Sequence, residues 1–235
     1  MRAITRALRN RPDLFESVEH VEGRHATVDE LCLAHDPAYI QLVEDTSARG
    51  GQQLDNDTPT SEGSWVAATA GAGCVLDAID RAATGSNLRS FCAVRPPGHH
   101  ALKDRAMGFC LFGNVAAGAL YAQKRHGFER VLIVDWDVHH GNGTQAIIET
   151  EPGIHFVSMH QSPWYPGTGA ASDRGPNGTV WNIPMAPGLV PTAYVDAFEK
   201  GVDAATTSFV PDLILLSAGF DSRAGDPLGG FTLEL

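Results

Sequence analysis

The stretch VDWDVHHGNGT, residues 134–144, places two aspartates, two adjacent histidines and two glycines directly behind the apolar run 131–134. A polar or charged side chain is costly to bury unless it finds a partner. So many such groups at the end of an apolar segment therefore indicate a functional site. The other segments of the chain decide what kind of site it is.

Four short apolar segments alternate with patterns typical of helices. Continuous runs of this kind, bounded by turn residues, are typical of strands that are buried on both faces of a parallel sheet. We therefore predict one domain over residues 1–235, with an α/β fold in which an open, mainly parallel sheet carries helices on both faces. The predicted strands are FCAV (91–94), RVLIV (130–134), IHFVSM (154–159) and DLILLSA (212–218).

The helical patterns carry ordinary start and stop signals. We expect a helix to begin at Pro37 with Asp36 as its N-cap. A long helix within residues 58–85 is expected to end at Gly85, and a further helix is expected to end at Gly127. A last helical pattern covers residues 191–209.

Composition narrows the function classes. The 235 residues are 43% hydrophobic and 19% charged, which is typical of globular proteins, and the net charge of −11 argues against a nucleic-acid-binding face. An acidic surface would weakly favour cationic substrates, or carry no specific meaning. The apolar runs are too short to span a membrane, so the cytoplasm is the default location. The four cysteines are widely separated; three lie in apolar surroundings, as small buried hydrophobic residues would.

Each predicted strand leads into a loop rich in polar residues. The four loops contain RPPGHH, DWDVHHGNG, WYPGTG preceded by His160, and GFDSRAGDP. In open parallel sheets, ligands bind beyond the carboxyl ends of the strands. The sequence therefore predicts that four separate segments deliver side chains to one edge of the sheet.

The spacing in residues 135–139 favours a metal site. In an extended chain Asp135, Asp137 and His139 point the same way, and such groups need a cation between them. An imidazole with carboxylates suits zinc, for which Asp137 and His139 supply two ligands and Asp221 a third. Asp135 would then orient a histidine. The alternative is that the two aspartates only cap a turn.

The pair His99 and His100 follows a stiff Pro-Pro-Gly turn that would fix the direction of both rings. Two imidazoles beside a metal could act as general base and general acid. The alternatives are metal ligation and simple exposure at the surface. We also expect Gly141 and Gly143 to allow a sharp turn under the metal site.

These motifs together resemble those of the histone deacetylase superfamily, most closely class II enzymes and bacterial histone deacetylase-like amidohydrolases. The resemblance begins near His35 and runs in order to the end of the chain. It is carried by RPPGHHA, GFC, VDWDVHHGNGTQ, VSMH, YPGTG and AGFDSRAGDPLGG. It implies an arginase/deacetylase-like fold.

The resemblance also implies roles. It assigns a zinc ion to Asp137, His139 and Asp221, an active-site pair to His99 and His100 with His100 favoured as general base, and supporting positions behind that pair to Asp135 and Asn142. The remaining roles are an acyl-lysine tunnel (Gly108, Phe109, Tyr165), a rim aspartate (Asp57) and a structural potassium site (Asp135, Asp137, His139, Ser158, Met159).

The implied activity is zinc-dependent removal of acetyl groups from lysine side chains of proteins, with acetylated polyamines as the alternative substrates. No direct contact with nucleic acid or membrane is expected, and homo-oligomerisation stays open. An arginase-like dimanganese enzyme would need more aspartates around the metal.

Two departures from the family pattern bear on activity. The family carries a Gly-Gly-Tyr segment whose tyrosine donates to the oxyanion, and the sequence holds no match to it. We expect a chain that is incomplete at both ends, with the C-terminal part of the sheet missing and an exposed sheet edge. A metal-binding module with little or no turnover is therefore a further alternative. Gly113 stands where the family usually has Asn, and should only loosen a turn.

Overall fold

The sheet has four strands, all parallel, in the order β3-β2-β1-β4. The structure, a computed structural model, describes the backbone of residues 2–234 and the side chains of residues 4–234. The strands are β1 (Val131–Asp135), β2 (Ile154–Gln161), β3 (Val180–Met185) and β4 (Leu213–Ser217).

Helices fill the connections between the strands and the long N-terminal part of the chain. Proline stands in the first turn of α2, α4 and α8, where its missing N–H leaves no hydrogen bond unmade. The helices are α1 (Arg2–Arg9), α2 (Pro12–Phe15), α3 (Val28–Leu31), α4 (Pro37–Ala48), α5 (Ser64–Ala83), α6 (Asn114–His126), α7 (Asn142–Ile148) and α8 (Pro191–Thr206).

The expected helix ends are mostly confirmed. Asp36 is the N-cap of α4, although its carboxylate makes no capping hydrogen bond. Gly127 ends α6 in the left-handed conformation, with φ 70°. The C-cap of α5 is Thr84, one residue before the glycine that we expected, and Gly85 follows with φ 73°.

The two faces of the sheet are covered by different helices. Ile133 and Phe156 belong to the core formed with α5 and α6, whereas Leu132 and Val157 belong to the core formed with α8. Successive side chains of a strand point to opposite faces, so strands apolar at every position need cover on both sides. The predicted α/β fold is therefore confirmed.

The strand register places the carboxyl ends of the central strands side by side. Asp135, the last residue of β1, is the register partner of Ser158 in β2 and of Ser217 in β4. The loops that leave these strands therefore start from one edge of the sheet. This is the convergence on which the predicted site depends.

One predicted strand is wrong. Residues 91–94 form no strand and run instead along α5, where the Cys92 thiol donates to the Cys74 carbonyl (Sγ–O 3.6 Å). None of the four described strands pairs with this segment, which packs on α5 and does not extend the sheet beyond β4. An apolar run of four residues does not by itself distinguish a strand from an apolar loop.

The strand β3 was missed by the sequence patterns. Asn182 and Pro184 interrupt its apolar run, and proline argues against a central strand. The structure places β3 at an edge of the sheet, where proline is tolerated because one side of the backbone has no strand to bond.

At the opposite edge, β4 leaves part of its face open. Ile214 and Leu216 are 55% and 51% exposed within the part of the chain that the structure describes. The expectation of an exposed sheet edge is thus confirmed for these residues. None of the described helices has both the length and the apolar character needed to cross a membrane.

His35 anchors the segment that precedes α6. Its Nδ1 donates to the Leu102 carbonyl and its Nε2 accepts from the Gly113 amide, both at 2.9 Å. Burial lowers the pKa of His35 to about 4, so the ring is neutral in the folded protein. Protonation of Nε2 would remove the acceptor that the described residues give the Gly113 N–H, so this anchor requires the neutral ring.

We predict that His35 makes folding stability fall with acid. Between pH 6.5 and about 4 the unfolded chain binds a proton at His35 that the folded chain does not, so the free energy of unfolding decreases as pH falls through this window. His35→Gln should lessen this decrease by about 3 kcal/mol in total. Denaturant unfolding at a series of pH values measures it. His20→Gln, at an exposed histidine, should leave the wild-type curve unchanged. Parallel curves for His35→Gln and wild type would contradict the prediction.

Candidate active site

The three residues predicted as zinc ligands lie together at the carboxyl edge of the sheet. Asp137 and His139 follow β1, and Asp221 follows β4. The Nδ1 of His139 lies 2.9 Å from Asp137 Oδ1 and 3.0 Å from Asp221 Oδ2. One ligand atom from each residue lies within 4.8 Å of the other two. The structure thus brings these three residues together as the sequence predicted.

The loops around this cluster are joined by a hydrogen bond from a backbone amide to a carboxylate. The amide of Val138 donates to Asp221 Oδ1 at 2.9 Å, which ties the β1 loop to the β4 loop. Gly219 packs directly against Asp137, since a Cβ atom at 219 would stand 2.1 Å from Asp137 Oδ2. The position of the Asp137 carboxylate therefore depends on the absence of a side chain at 219.

This donor set fits a divalent metal such as zinc. One imidazole nitrogen faces two carboxylate oxygens, which is a common combination at zinc. Burial disfavours charge on His139, but hydrogen bonds to Asp137 and Asp221 outweigh it and raise its pKa to about 9. The two carboxylates thus require a positive charge between them. A proton on His139 provides it in part, and a metal cation can replace that proton.

His99 is paired with the carboxylate of Asp135. The Nδ1 of His99 donates to Asp135 Oδ2 at 3.0 Å, and both side chains are buried. Its Nε2 points towards the metal cluster, 3.8 Å from Asp137 Oδ2. Burial opposes charge on the ring, but the carboxylates of Asp137 and Asp135 raise the pKa of His99 to about 9.

His100 is paired with an amide instead. Its Nδ1 donates to Asn142 Oδ1 at 2.7 Å, and the Asn142 amide group lies against Met107 Sδ at 3.5 Å. Burial and the neighbouring charge of His99 lower the pKa of His100 well below its ordinary value. The two adjacent rings, whose centroids are 3.9 Å apart, are therefore driven towards opposite charge states.

Gly141 and Gly143 are required by close packing. A Cβ atom at 141 would stand 2.6 Å from Asp135 Oδ2, and one at 143 would stand 2.3 Å from the Ala101 carbonyl. Neither residue has a positive φ. Our expectation that a sharp turn needs these glycines is therefore wrong: Gly141 instead allows close packing on Asp135, and Gly143 lets α7 approach the loop that carries the histidine pair.

The predicted tunnel residues lie beside His100. Gly108 and Phe109 have positive φ angles of 55° and 66°. A Cβ atom at 108 would stand 2.3 Å from His100 Cδ2, so only glycine fits against the ring. The amide of Gly108 donates to Asp57 Oδ1 at 3.1 Å, and the Thr58 hydroxyl accepts from Phe109 N at 3.1 Å. These bonds hold the unusual backbone in place; the part played by Thr58 was not predicted.

Tyr165 stands opposite this wall. Its ring is perpendicular to the ring of His100, with centroids 5.2 Å apart, and lies 6.0 Å from the ring of His139. Burial, together with the carboxylates of Asp57 and Asp55, raises the pKa of Tyr165 to about 12. The phenol is therefore neutral. Phe109 and Tyr165 are 51% and 39% exposed, so both aromatic side chains reach the surface.

The residues assigned to a potassium site lie at the ends of β1 and β2. Asp135, Ser158 and Met159 are fully buried. Asp135 Oδ1 accepts from the amide of Asp137 at 3.1 Å, and the Ser158 hydroxyl is 3.0 Å from His160 Nδ1. The potassium ion itself stays a prediction.

Comparisons with known proteins agree with this geometry. A family model described as the histone deacetylase domain matches residues 1–235. The chain belongs to the histone deacetylase family. The histone deacetylase-like amidohydrolase of Pseudomonas aeruginosa is 40% identical over 213 residues, covering 89% of this chain and 56% of that protein. An uncharacterized protein of Synechocystis sp. is 46% identical over 203 residues, covering 86% and 66%. The crystal structure of the HDA15 HD domain superposes with a TM-score of 0.93 at 40% identity, covering 98% of this chain and 67% of that one.

This histone deacetylase family chain thus spans 56% of the length of the Pseudomonas aeruginosa protein and 66% of the length of the Synechocystis protein.

A polar network around the buried side chains of His140 and Gln145, beside the Asp137–His139–Asp221 cluster, was missed by the sequence analysis. His140 joins Thr168 at 2.8 Å and Gln145 at 2.9 Å, and Gln145 donates to Asp173 at 2.8 Å. Burial lowers the pKa of His140 to about 4, so the ring is neutral. The signal was present in the motifs HHGNGTQ and YPGTG, but Asp173 lies in a turn-rich loop that gave no sign of burial contacts.

We predict that Gly219→Ala weakens metal binding. The new methyl group would collide with the Asp137 carboxylate and push it away from His139 and Asp221. Loss of ligand positioning costs on the order of 10–100-fold in metal affinity. Zinc titration against a competing chelator measures it. Gly63→Ala is the matched control, because a Cβ atom there meets nothing within 4 Å. Equal zinc affinity in Gly219→Ala and Gly63→Ala would show that the close packing does not position the ligand.

Proposed function

We propose that this chain carries the catalytic centre of a zinc-dependent hydrolase that removes acetyl groups from acetyl-lysine side chains. The observation that supports it most is the position of two histidines with different partners, Asp135 and Asn142, beside the Asp137–His139–Asp221 cluster. Family membership supports the class of reaction. The metal, the histidine roles and the substrate are parts of the proposal.

The zinc ion would be held by Asp137, His139 and Asp221. When bound, it would polarise the acetyl carbonyl and lower the pKa of its water towards about 7. The fit rests on one imidazole nitrogen and two carboxylate oxygens that face each other within hydrogen-bond distance.

His100 is the general base in this proposal. Its Nδ1 is engaged by Asn142, which leaves Nε2 as the atom that can take a proton from the attacking water. A base must be neutral, and burial together with His99 favours the neutral ring. The proton can then pass from Nε2 to the departing amine, because the same ring faces the tunnel wall at Gly108.

His99 has a different task. Asp135 fixes its Nδ1 proton and favours the charged ring, whose Nε2 side faces the metal cluster. A positive charge at this place stabilises negative charge that develops on the acetyl oxygen. Asp135 itself positions the ring and does not touch the reacting atoms.

The substrate would enter between Phe109 and Tyr165. Two exposed aromatic side chains suit the methylene groups of lysine, with the acetyl group at the histidines. Asp57 is bound to the Gly108 amide and lies at the same rim, where a carboxylate can accept an N–H from a substrate backbone.

A potassium ion would bind beside the proposed zinc site, at the ends of β1 and β2. The carboxylate of Asp135 and the hydroxyl of Ser158 are buried neighbours, and the carbonyls of Asp137, His139 and Met159 complete the proposed set. A monovalent cation would offset the buried charge of Asp135.

None of the four tyrosines within these 235 residues stands in the Gly-Gly-Tyr context of the family's oxyanion donor. Removing one oxyanion donor costs on the order of 10²–10³ in turnover. An assay of these 235 residues by themselves is therefore expected to give slow turnover.

We predict that His100→Ala separates catalysis from metal binding. The variant should retain one zinc per chain but lose on the order of 10²-fold or more in turnover, because the general base is gone. Asp221→Ala should lose the zinc as well as turnover. Mass spectrometry of an acetyl-lysine peptide gives turnover, and elemental analysis gives zinc content. His20→Ala, at an exposed histidine, should match wild type in both. Zinc-loaded, folded wild type without turnover would favour the metal-binding module.

Acetylated polyamines are the second candidate substrates. The net charge of −11 and the carboxylates of Asp55 and Asp57 near Tyr165 favour a cationic substrate. An N-acetylated polyamine tested in the same assay separates the two classes. A higher kcat/KM for the peptide supports the protein substrate, and a higher value for the polyamine supports the alternative.

We predict that Asn142→Asp moves the acid limb of the pH–rate profile upward. A carboxylate at 142 would favour the charged form of His100 and raise its pKa, so a higher pH would be needed to free the base. Measuring kcat/KM against pH tests this. Asn182→Asp, at a buried asparagine that bonds to Gln145, is the control. An acid limb that stays in place in Asn142→Asp would rule out His100 as the group that sets it.

A further inference from the structure

Two cysteines face each other away from the metal cluster. Cys74 lies in the middle of α5, and Cys92 lies in the segment that leads to the histidine pair. Cys74, Cys92 and Cys110 are the three cysteines expected as small buried hydrophobic residues; Cys110 is buried, whereas Cys74 and Cys92 are only partly buried. The Cys92 thiol donates to the backbone carbonyl of Cys74, with Sγ and O 3.6 Å apart.

The pair belongs to a longer contact between α5 and residues 92–97. A Cβ atom at Gly71 would lie 3.5 Å from the Arg95 carbonyl, and Ala67 lines a small cleft of about 270 Å³ with Pro96 and Pro97. Residues spaced by three and four positions form one face of a helix. Cys74 thus continues the face on which the segment before His99 rests.

We propose that Cys74 and Cys92 form a redox-sensitive thiol pair, which a peroxide oxidises to a disulfide that fastens the segment before the histidine pair to α5.

The two thiols have unequal reactivity. The Cys92 S–H can turn from the Cys74 carbonyl to the Cys74 sulfur, and a hydrogen bond there lowers the pKa of Cys74 to about 7. The same side-chain contact, with burial, raises the pKa of Cys92. The thiolate is the nucleophile in thiol chemistry. Cys74 is therefore the residue that reacts first, and Cys92 is the one that resolves the product.

The reaction is balanced with hydrogen peroxide as the only other reactant. The Cys74 thiolate attacks one peroxide oxygen, the O–O bond breaks, and hydroxide leaves and becomes water. Cys74 is then a sulfenic acid. The Cys92 sulfur attacks the Cys74 sulfur, the S–O bond breaks, and a second water leaves with the proton of Cys92. Two thiols are oxidised to one disulfide, and one peroxide is reduced to two waters.

The remaining cysteines provide the controls. Cys32 is exposed at the end of α3, and Cys110 is buried with its thiol directed at the Gly108 carbonyl. A Cys32→Ser background removes the exposed thiol, which could otherwise join two chains. The disulfide is detected by mass, so its test is independent of the proposed deacetylase activity.

The test is oxidation of the folded, metal-free, reduced chain in the Cys32→Ser background. After hydrogen peroxide at neutral pH, free thiols are alkylated under denaturing conditions and the digest is analysed by mass spectrometry. We expect a cross-linked peptide that joins residues 74 and 92, lighter by two hydrogen atoms and restored by a reductant. Two alkylated thiols at these positions after treatment, or a cross-link to Cys110, would overturn the proposal.

Single substitutions test the order of the steps. In Cys92→Ser, Cys74 should accumulate as a sulfenic acid that a dimedone probe labels. In Cys74→Ser, oxidation of Cys92 should be slower by about tenfold, because its thiol is mostly protonated at neutral pH. Labelling of Cys92 in Cys74→Ser at the wild-type rate would contradict the assignment of Cys74 as the reactive thiol.

Discussion

Asp135 places a carboxylate at the end of β1, where solvent does not reach it, and the groups around it are oriented by that buried charge. It accepts hydrogen bonds from His99 and from the amide of Asp137, and Gly141 packs against it. An unpaired buried charge costs several kcal/mol, so these contacts are obligatory. The orientation of His99 and the path of the chain towards the metal ligands both follow from it.

The parallel sheet makes this arrangement possible. Because β1 lies between β2 and β4, its end is flanked by the ends of both neighbours. Asp221 in the loop after β4 can then contact His139 in the loop after β1, although both loops are short. Two glycines allow the loops to pack this closely, since Gly219 lies directly against Asp137 and Gly108 against the ring of His100.

The difference between the two histidines is set by their partners. A carboxylate behind His99 favours a charged ring, whereas an amide behind His100 permits a neutral one. The sequence shows both partner residues, but it shows neither distance nor burial. Only burial makes the difference large, because a solvated pair would be screened by water.

The sequence alone determined the fold class, three of the four described strands and the grouping of Asp137, His139 and Asp221. These follow from local patterns: apolar runs at β1, β2 and β4, and the Asp-x-Asp-x-His spacing behind β1. The resemblance to the family added the residues predicted for a tunnel and its rim, of which Gly108 and Tyr165 lie against His100.

Only the tertiary structure decided the remainder. Residues 91–94 are apolar enough for a strand, but the segment packs on α5 and pairs with none of the four described strands. The sequence of β3 looked too polar for a strand, but β3 lies at an edge of the sheet, where Pro184 is tolerated. Gly141 and Gly143 are needed for close packing and not for an unusual backbone conformation. Cys74 meets Cys92 only because residues 91–94 pack against α5. In each case the deciding contact joins residues distant in sequence, and no local pattern records which surfaces will meet.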